Sequence, residues 1–270
     1  MDMVLDIAEW LLPLVYMALA IDYGATFILR TRTHARNPGV VAAILLHLAY
    51  IVLRGIKLGG PPLVTNAEVL SVVALSSTIV YWAIERFTRD RRAGVFVFML
   101  IFLCQYTASF LPAAAPYVAA EAAMHYRWSR LHIVPASLAY TAMAFATLYA
   151  LLFLIGQRNL KQHRFGLLFD RLPPLELLGR MCWQALLVGI VFMTVAIITG
   201  VMMFHSGGAS GAPETKVIVK IVMGSMAWLA YGTAVLGRWL AKWPLPRIAA
   251  IAVAGALIVV VLFVTSIALS

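Results

Sequence analysis

The chain has 270 residues, of which 63% are hydrophobic and only 12% are charged. Soluble domains carry about 25% charged residues, so this composition excludes an ordinary soluble enzyme and indicates an integral membrane protein surrounded by lipid. The formal net charge of +10 is spread over separate short loops, unlike the clustered basic surface of a nucleic-acid-binding protein, and we predict no nucleic-acid partner.

Long apolar runs alternate with short polar loops along the whole chain. A helix needs about 20 apolar residues to cross a hydrocarbon core about 30 Å thick, and backbone polar groups in lipid must be satisfied within their own segment. We therefore predict an all-α, polytopic integral membrane protein with eight transmembrane helices, and we treat residues 1–270 as a single domain. The predicted spans cover residues 10–29, 39–57, 67–85, 94–111, 131–155, 177–204, 217–237 and 247–269.

Lysine and arginine are distributed unevenly between the loops, and this distribution predicts how the protein is oriented. The loops on one side hold most of the basic residues: Arg30, Arg32, Arg36, Arg86, Arg89, Arg91, Arg92, Arg158, Lys161, Arg164, Arg171, Arg180, Arg238, Lys242 and Arg247. Basic loops stay in the cytoplasm. We therefore expect a multi-pass protein of the bacterial cytoplasmic (inner) membrane, with both termini on the outer side.

Polar residues within the spans are costly in lipid, so each needs a partner or a function. His47 lies about 12 Å from the cytoplasmic end of span 2, and Asp22 lies at a similar depth in span 1 when its position is counted from Arg30. We predict that Asp22 and His47 pair directly or through water. Tyr50 and Arg54 follow His47 at i+3 and i+7, so a polar stripe runs along span 2. The pair is either structural, or His47 is a haem ligand or a proton-relay residue.

Two further histidines are predicted to lie at the outer face. His132 begins span 5 and His205 ends span 6, so two imidazoles at one level can supply both axial ligands of a haem iron. The alternative is that each is a solvated or capping histidine at the membrane interface. Four outer basic residues are candidates to pair with the haem propionates: Arg127, Arg130, Lys216 and Lys220.

Five segments, in order along the chain, carry a family resemblance. They are residues 54–71 (RGIKLGGPPLVTNAEVLS), 131–140 (LHIVPASLAY), 151–161 (LLFLIGQRNLK), 172–176 (LPPLE) and 216–232 (KVIVKIVMGSMAWLAYG). Together they resemble the cytochrome c assembly family of membrane proteins, the CcsA/HemX-like group. The haem-handling synthases of that group carry a tryptophan-rich outer segment before span 7, where this chain reads HSGGASGAPETK at residues 205–216. The chain therefore most resembles the smaller HemX/YpjD-type members.

The resemblance implies a membrane protein of cytochrome c maturation or haem handling, which binds haem b reversibly and works with maturation proteins or apocytochrome c. It assigns His132 as a haem ligand, and His47 is the nearest candidate for a membrane-embedded ligand. We predict a carrier or accessory protein and no enzyme, since the chain has no hydrolase, nucleotide-binding or covalent haem motif.

Two alternatives remain open at this point. One is a non-haem accessory or regulatory membrane protein of the same fold, for example in tetrapyrrole metabolism. The other is a small proton-coupled transporter that uses Asp22 and His47. It is less favoured because the sequence shows no inverted repeat, which many transporters have.

Overall fold

The structure, a computed structural model, has helices as its regular secondary structure in the part of the chain that it describes. That part comprises residues 2–29, 37–60, 62, 65–88, 90–111, 122–163, 166–206 and 215–268. Its helices are α1 (Asp2–Leu29), α2 (Pro38–Leu58), α3 (Asn66–Thr88), α4 (Gly94–Phe110), α5 (Ala122–Lys161), α6 (Leu167–Arg171), α7 (Leu175–Ser206), α8 (Thr215–Leu240) and α9 (Leu245–Ala268). Each of the eight predicted apolar segments coincides with one long helix, and α6 is a short addition.

Six of these helices are long and apolar enough to cross a membrane, namely α1, α2, α3, α5, α7 and α9. The apolar helix α4 is shorter than the others, with bounds Gly94–Phe110. Large apolar side chains such as Ile21, Leu45 and Val191 are exposed on these helices, as lipid-facing positions require. The prediction of a polytopic helical membrane protein is therefore confirmed.

The contacts divide the chain into two compact units. Unit 1 is Met1–Ala120 with Arg171–Pro173, and unit 2 is Glu121–Asp170 with Pro174–Ser270. In unit 1, α1 and α3 each pack against both α2 and α4. In unit 2, α5 packs against α7 and α9, and α8 packs against the same two helices. That all 270 residues form one domain stays a prediction.

An aromatic cluster packs where α1, α3 and the first turns of α4 meet in unit 1. The ring of Tyr23 contacts the rings of Tyr81 and Phe98, and all three side chains are buried. Gly94 begins α4 directly beside them, where an added Cβ would overlap the Tyr23 ring and the Tyr81 hydroxyl. Glycine at this position therefore lets α4 approach α1 and α3 closely.

Helix α1 continues through Pro13, which has no N–H to donate to the carbonyl four residues earlier. That carbonyl belongs to Glu9, and the Ser109 hydroxyl of α4 donates to it at 3.0 Å. A buried backbone carbonyl left without a donor costs about 1–3 kcal/mol. Ser109 therefore stabilises a helix that contains an internal proline.

Small residues bring α5 and α7 together in unit 2. Ala139, Ala142 and Ala146 are buried on one face of α5. A Cβ added to Gly189 of α7 would lie only 3.5 Å from the Ala142 Cβ. Helices in membranes associate through such close packing of small residues, because lipid supplies no hydrophobic driving force between them.

Candidate functional site

His132 is held against the backbone of α7. Its Nδ1 atom lies 2.7 Å from the Ala196 carbonyl oxygen. A carbonyl only accepts hydrogen bonds, so Nδ1 carries the hydrogen and donates it. In the neutral ring, Nε2 then keeps a lone pair, which is the state that a metal ligand needs.

Gly200 makes this contact possible. A Cβ added to Gly200 would lie 3.0 Å from both Cε1 and Nδ1 of His132, closer than side-chain atoms normally approach. The imidazole therefore occupies the space that a side chain at position 200 would fill. His132 extends the face of α5 that carries Ala139, so the close α5–α7 packing described above also positions this ring.

The geometry at His132 fits a haem iron ligand. Metal-ligating histidines almost always donate their other ring N–H to a carbonyl, a carboxylate or water, which fixes the tautomer and the ring orientation. In this structure the Ala196 carbonyl accepts such a hydrogen bond from His132. Among the described residues, no group of three or more His, Cys, Asp or Glu side chains could hold a bare metal ion. A porphyrin iron needs only one or two axial protein ligands.

The other predicted haem contacts lie outside the described side chains. They are His205, Arg127, Arg130, Lys216 and Lys220. Their roles stay predictions.

His47 has a different environment from His132. It is 0% exposed in unit 1, and both of its ring nitrogens have partners. Nδ1 lies 2.7 Å from the Tyr16 hydroxyl, and Nε2 lies 2.9 Å from Ser71 Oγ. With no free nitrogen at its surface, this ring does not fit the predicted haem ligand. The polar stripe on α2 is confirmed, since His47, Tyr50 and Arg54 are all buried on one face.

Asp22 does not contact His47, and the predicted direct pair is wrong. Asp22 accepts hydrogen bonds from Asn37 at 2.8 Å and from Arg91 at 3.0 Å. Asn37 is the N-cap of α2, so Asp22 lies level with the start of that helix. His47 lies ten residues further along, which is about 15 Å. The predicted depth of Asp22 was counted from Arg30, which assumed that α1 ends at the level where α2 begins.

Arg91 is a buried cation that the sequence assigned only to topology. Its side chain is 4% exposed and contacts Asp22, Glu85 at 3.7 Å and the ring of Tyr23 at 4.3 Å. Burial alone lowers the pKa of the guanidinium, but Tyr23 and Glu85 outweigh burial and hold that pKa above its ordinary value. Arg91 therefore stays charged and ties the ends of α1 and α3 together. The sequence signal for this cluster was a pair of acidic residues, Asp22 and Glu85, which lie toward the C-terminal ends of predicted spans 1 and 3.

A second buried ion pair joins α2 to α3 at the opposite end of unit 1. Arg54 Nε lies 3.7 Å from Glu68 Oε1. Glu68 also caps α3, because its Oε2 accepts from the Thr65 N–H at 3.2 Å while the Thr65 hydroxyl accepts from the Glu68 N–H at 3.3 Å. This reciprocal pair is a capping box. The arginine and glutamate of segment 54–71 are thus brought together by folding.

Comparison with known proteins identifies the family. A family model described as "Cytochrome C assembly protein" matches residues 63–269, well over half of the chain. The match includes α3 to α9 and therefore His132, but it begins after His47. A search of curated proteins found no match. The resemblance seen in the sequence is confirmed, and the chain belongs to the cytochrome c assembly protein family, whose role is in cytochrome c maturation.

Proposed function

We propose that this membrane protein handles haem b during cytochrome c maturation and binds the haem iron through Nε2 of His132. The observation that carries the proposal is the hydrogen bond from Nδ1 to the Ala196 carbonyl, which leaves Nε2 as a lone-pair donor. Family membership supplies the biological context. Bound haem would add the redox and axial-ligand chemistry of its iron, and the protein residues would hold and orient it.

His205 would be the second protein ligand of the haem iron in this proposal. It lies five residues after Gly200 in α7, a rise of about 7.5 Å along the helix axis. The proposed partners of the haem propionates are the outer basic residues Arg127, Arg130, Lys216 and Lys220. Cation–carboxylate hydrogen bonds of this type are stronger than neutral ones. His47 does not enter this proposal, because both of its nitrogens are already engaged.

The proposed topology has eight spans, formed by the six long apolar helices together with α4 and α8. Both termini would face outward, and the arginine-rich loops would face the cytoplasm of a bacterium whose inner membrane holds the protein. In this orientation His132 lies near the outer face. We propose a carrier or accessory role, with maturation proteins or apocytochrome c as partners.

Complementation in cells tests this function. In cells that lack the protein, the wild type and a His163→Ala control are expected to restore covalent haem in c-type cytochromes, measured on haem-stained gels. His132→Ala is expected to restore little, at equal protein level. Full restoration by His132→Ala would contradict the ligand assignment. Unchanged c-type cytochromes in the deficient cells would favour the alternative of a non-haem accessory protein.

A further inference from the structure

Three basic residues surround the turn between α8 and α9 in unit 2. Arg238 lies in the last turn of α8, Lys242 lies in the connecting turn, and Arg247 lies in the first turn of α9. The first half of α7 lies beside them, because the Arg238 guanidinium lies over the ring of Trp183. We call Arg238, Lys242 and Arg247 the turn cations.

The turn cations have no carboxylate partner among the described residues. Other arginines of the basic loops do have one: Arg92 contacts Asp90 at 2.6 Å, and Arg180 contacts Glu176 at 3.4 Å. The sequence contains no aspartate or glutamate after Glu214, so α8 and α9 supply no carboxylate side chain of their own. The charge of the turn cations is therefore available to an external anion.

Two of the turn cations lie over indole rings. The guanidinium carbon of Arg247 lies 3.9 Å from the centre of the Trp243 ring, and that of Arg238 lies 5.3 Å from the centre of the Trp183 ring. The ring face attracts the guanidinium charge without supplying an oxygen acceptor. The N–H groups of both arginines therefore remain able to donate to phosphate oxygens, which a guanidinium can bind through two parallel hydrogen bonds.

The backbone of the turn fixes the Trp243 ring. The N–H groups of Ala241 and Trp243 both donate to the Gly237 carbonyl at 3.1 Å. A Cβ added to Gly237 would overlap the Trp243 ring, so this ring lies directly on the α8 backbone. Lys242 has a φ of 50°, in the left-handed region that favours glycine, and the turn nevertheless carries a charged side chain there. The position of Arg247 over Trp243 therefore follows from the close packing of the turn.

Large apolar side chains lie next to the turn cations. Trp239 is 69% exposed and Leu240 is 78% exposed at the end of α8. Tryptophan is enriched at the level of the lipid headgroups, where one part of a side chain meets hydrocarbon and another meets water. A partner for this surface therefore needs an anionic group and an apolar group in one molecule. An anionic phospholipid has both.

We propose that the turn cations bind the phosphate of an anionic phospholipid, such as phosphatidylglycerol, whose acyl chains contact Trp239 and Leu240. Ionic contacts and hydrogen bonds form, and no covalent bond changes. Phosphatidylcholine is expected to bind more weakly, because its choline group carries a positive charge that the turn cations repel. The site is independent of haem at His132 and of which side of the membrane the turn faces.

Native mass spectrometry of the intact protein in detergent, titrated with phosphatidylglycerol or phosphatidylcholine, tests this proposal. The readout is the affinity of the most tightly bound lipid. The wild type is expected to prefer phosphatidylglycerol. The double variant Arg238→Gln/Arg247→Gln should bind it at least about tenfold more weakly, because each cation near an anionic lipid surface contributes roughly a fivefold gain in affinity. The matched control is Arg158→Gln/Lys161→Gln, which removes two charges from exposed positions at the end of α5 and should leave this affinity unchanged.

Three results would overturn the proposal. Equal affinities of the wild type for the two lipids would mean that the turn cations do not select an anionic headgroup. Equal losses in the two double variants would mean that only the net charge of the protein matters. Displacement of phosphatidylglycerol by an excess of inorganic phosphate would assign the turn cations to a free anion. If the double variant does not fold, Arg247→Gln compared with Arg158→Gln decides in the same way.

Discussion

Gly200 leaves room for the His132 imidazole beside the α7 backbone. The absence of one carbon atom at this position leaves room for the ring to donate to the Ala196 carbonyl. That bond fixes the tautomer, and the tautomer decides which nitrogen is free to bind a metal. A single glycine is therefore a positioning residue for the proposed ligand.

Gly200→Ala is expected to displace His132 and to lower the amount of bound haem. Overpacking costs about 1–3 kcal/mol, and the better helix propensity of alanine offsets up to about 1 kcal/mol of that. Haem content per protein and thermal unfolding in detergent measure the two effects. The matched control is Gly224→Ala in α8, where an added Cβ meets nothing within 4 Å. Equal haem content in both variants would contradict a positioning role for Gly200.

Single residues show the limit of what a sequence predicts. The burial of His47 was predictable, because a polar residue in the middle of an apolar run lies at membrane depth. Its partners Tyr16 and Ser71 were not, because they depend on how α1 and α3 are rotated about their axes. His132 was found through its motif. Its partner, the Ala196 carbonyl, is a backbone group that no side-chain pattern indicates.

At the scale of elements, α1 depends on its neighbour α4 to tolerate Pro13. The proline leaves the Glu9 carbonyl without its intrahelical donor, and Ser109 supplies a replacement. Prolines are tolerated inside membrane helices when other groups satisfy the freed carbonyl. The hydrogen bond therefore links the local conformation of one helix to the packing of another.

A double-mutant cycle tests this link. Ser109→Ala alone is expected to lower the apparent free energy of unfolding by about 1–3 kcal/mol, because it leaves the Glu9 carbonyl unsatisfied. In a Pro13→Ala background the same change should cost much less, since the new alanine N–H donates to Glu9. Denaturant unfolding of the four proteins gives the coupling energy. Equal costs of Ser109→Ala in both backgrounds would contradict the assigned role.

Helix positions were predictable from hydropathy, but helix ends were not. Helix α1 begins at Asp2, eight residues before the predicted span, and α5 begins at Ala122, nine residues before its span. Hydropathy reports which residues can lie in lipid, whereas a helix continues until its backbone finds a cap or a turn. Polar turns of α1, such as those with Asp6 and Glu9, therefore belong to the helix although they interrupt the apolar run.

At the scale of the whole molecule, the basic loops have two functions. In the proposed topology, most of their arginines and lysines set the orientation in the membrane. Arg91 also forms ion pairs with Asp22 and Glu85 inside unit 1, so its charge stabilises the fold as well. Composition predicted the first function. The second depended on tertiary contacts between three segments, which the linear sequence does not display.

Reporter fusions test the proposed orientation. Alkaline phosphatase, which is active only outside the cytoplasm, should be active when fused after Ser270 and inactive when fused after Ala241. Green fluorescent protein at the same two positions should give the opposite pattern. Activity of the phosphatase after Ala241, in the α8–α9 turn, would place the arginine-rich loops outside and would contradict the orientation.

The most direct test of the central claim is the visible spectrum of the purified protein after haem supply, oxidised and reduced. The account predicts a Soret band in the wild type that falls sharply in His132→Ala and is retained in His163→Ala. His205→Ala reports on the proposed second ligand in the same experiment. A wild type without a Soret band, or a band undiminished in His132→Ala, would contradict the account.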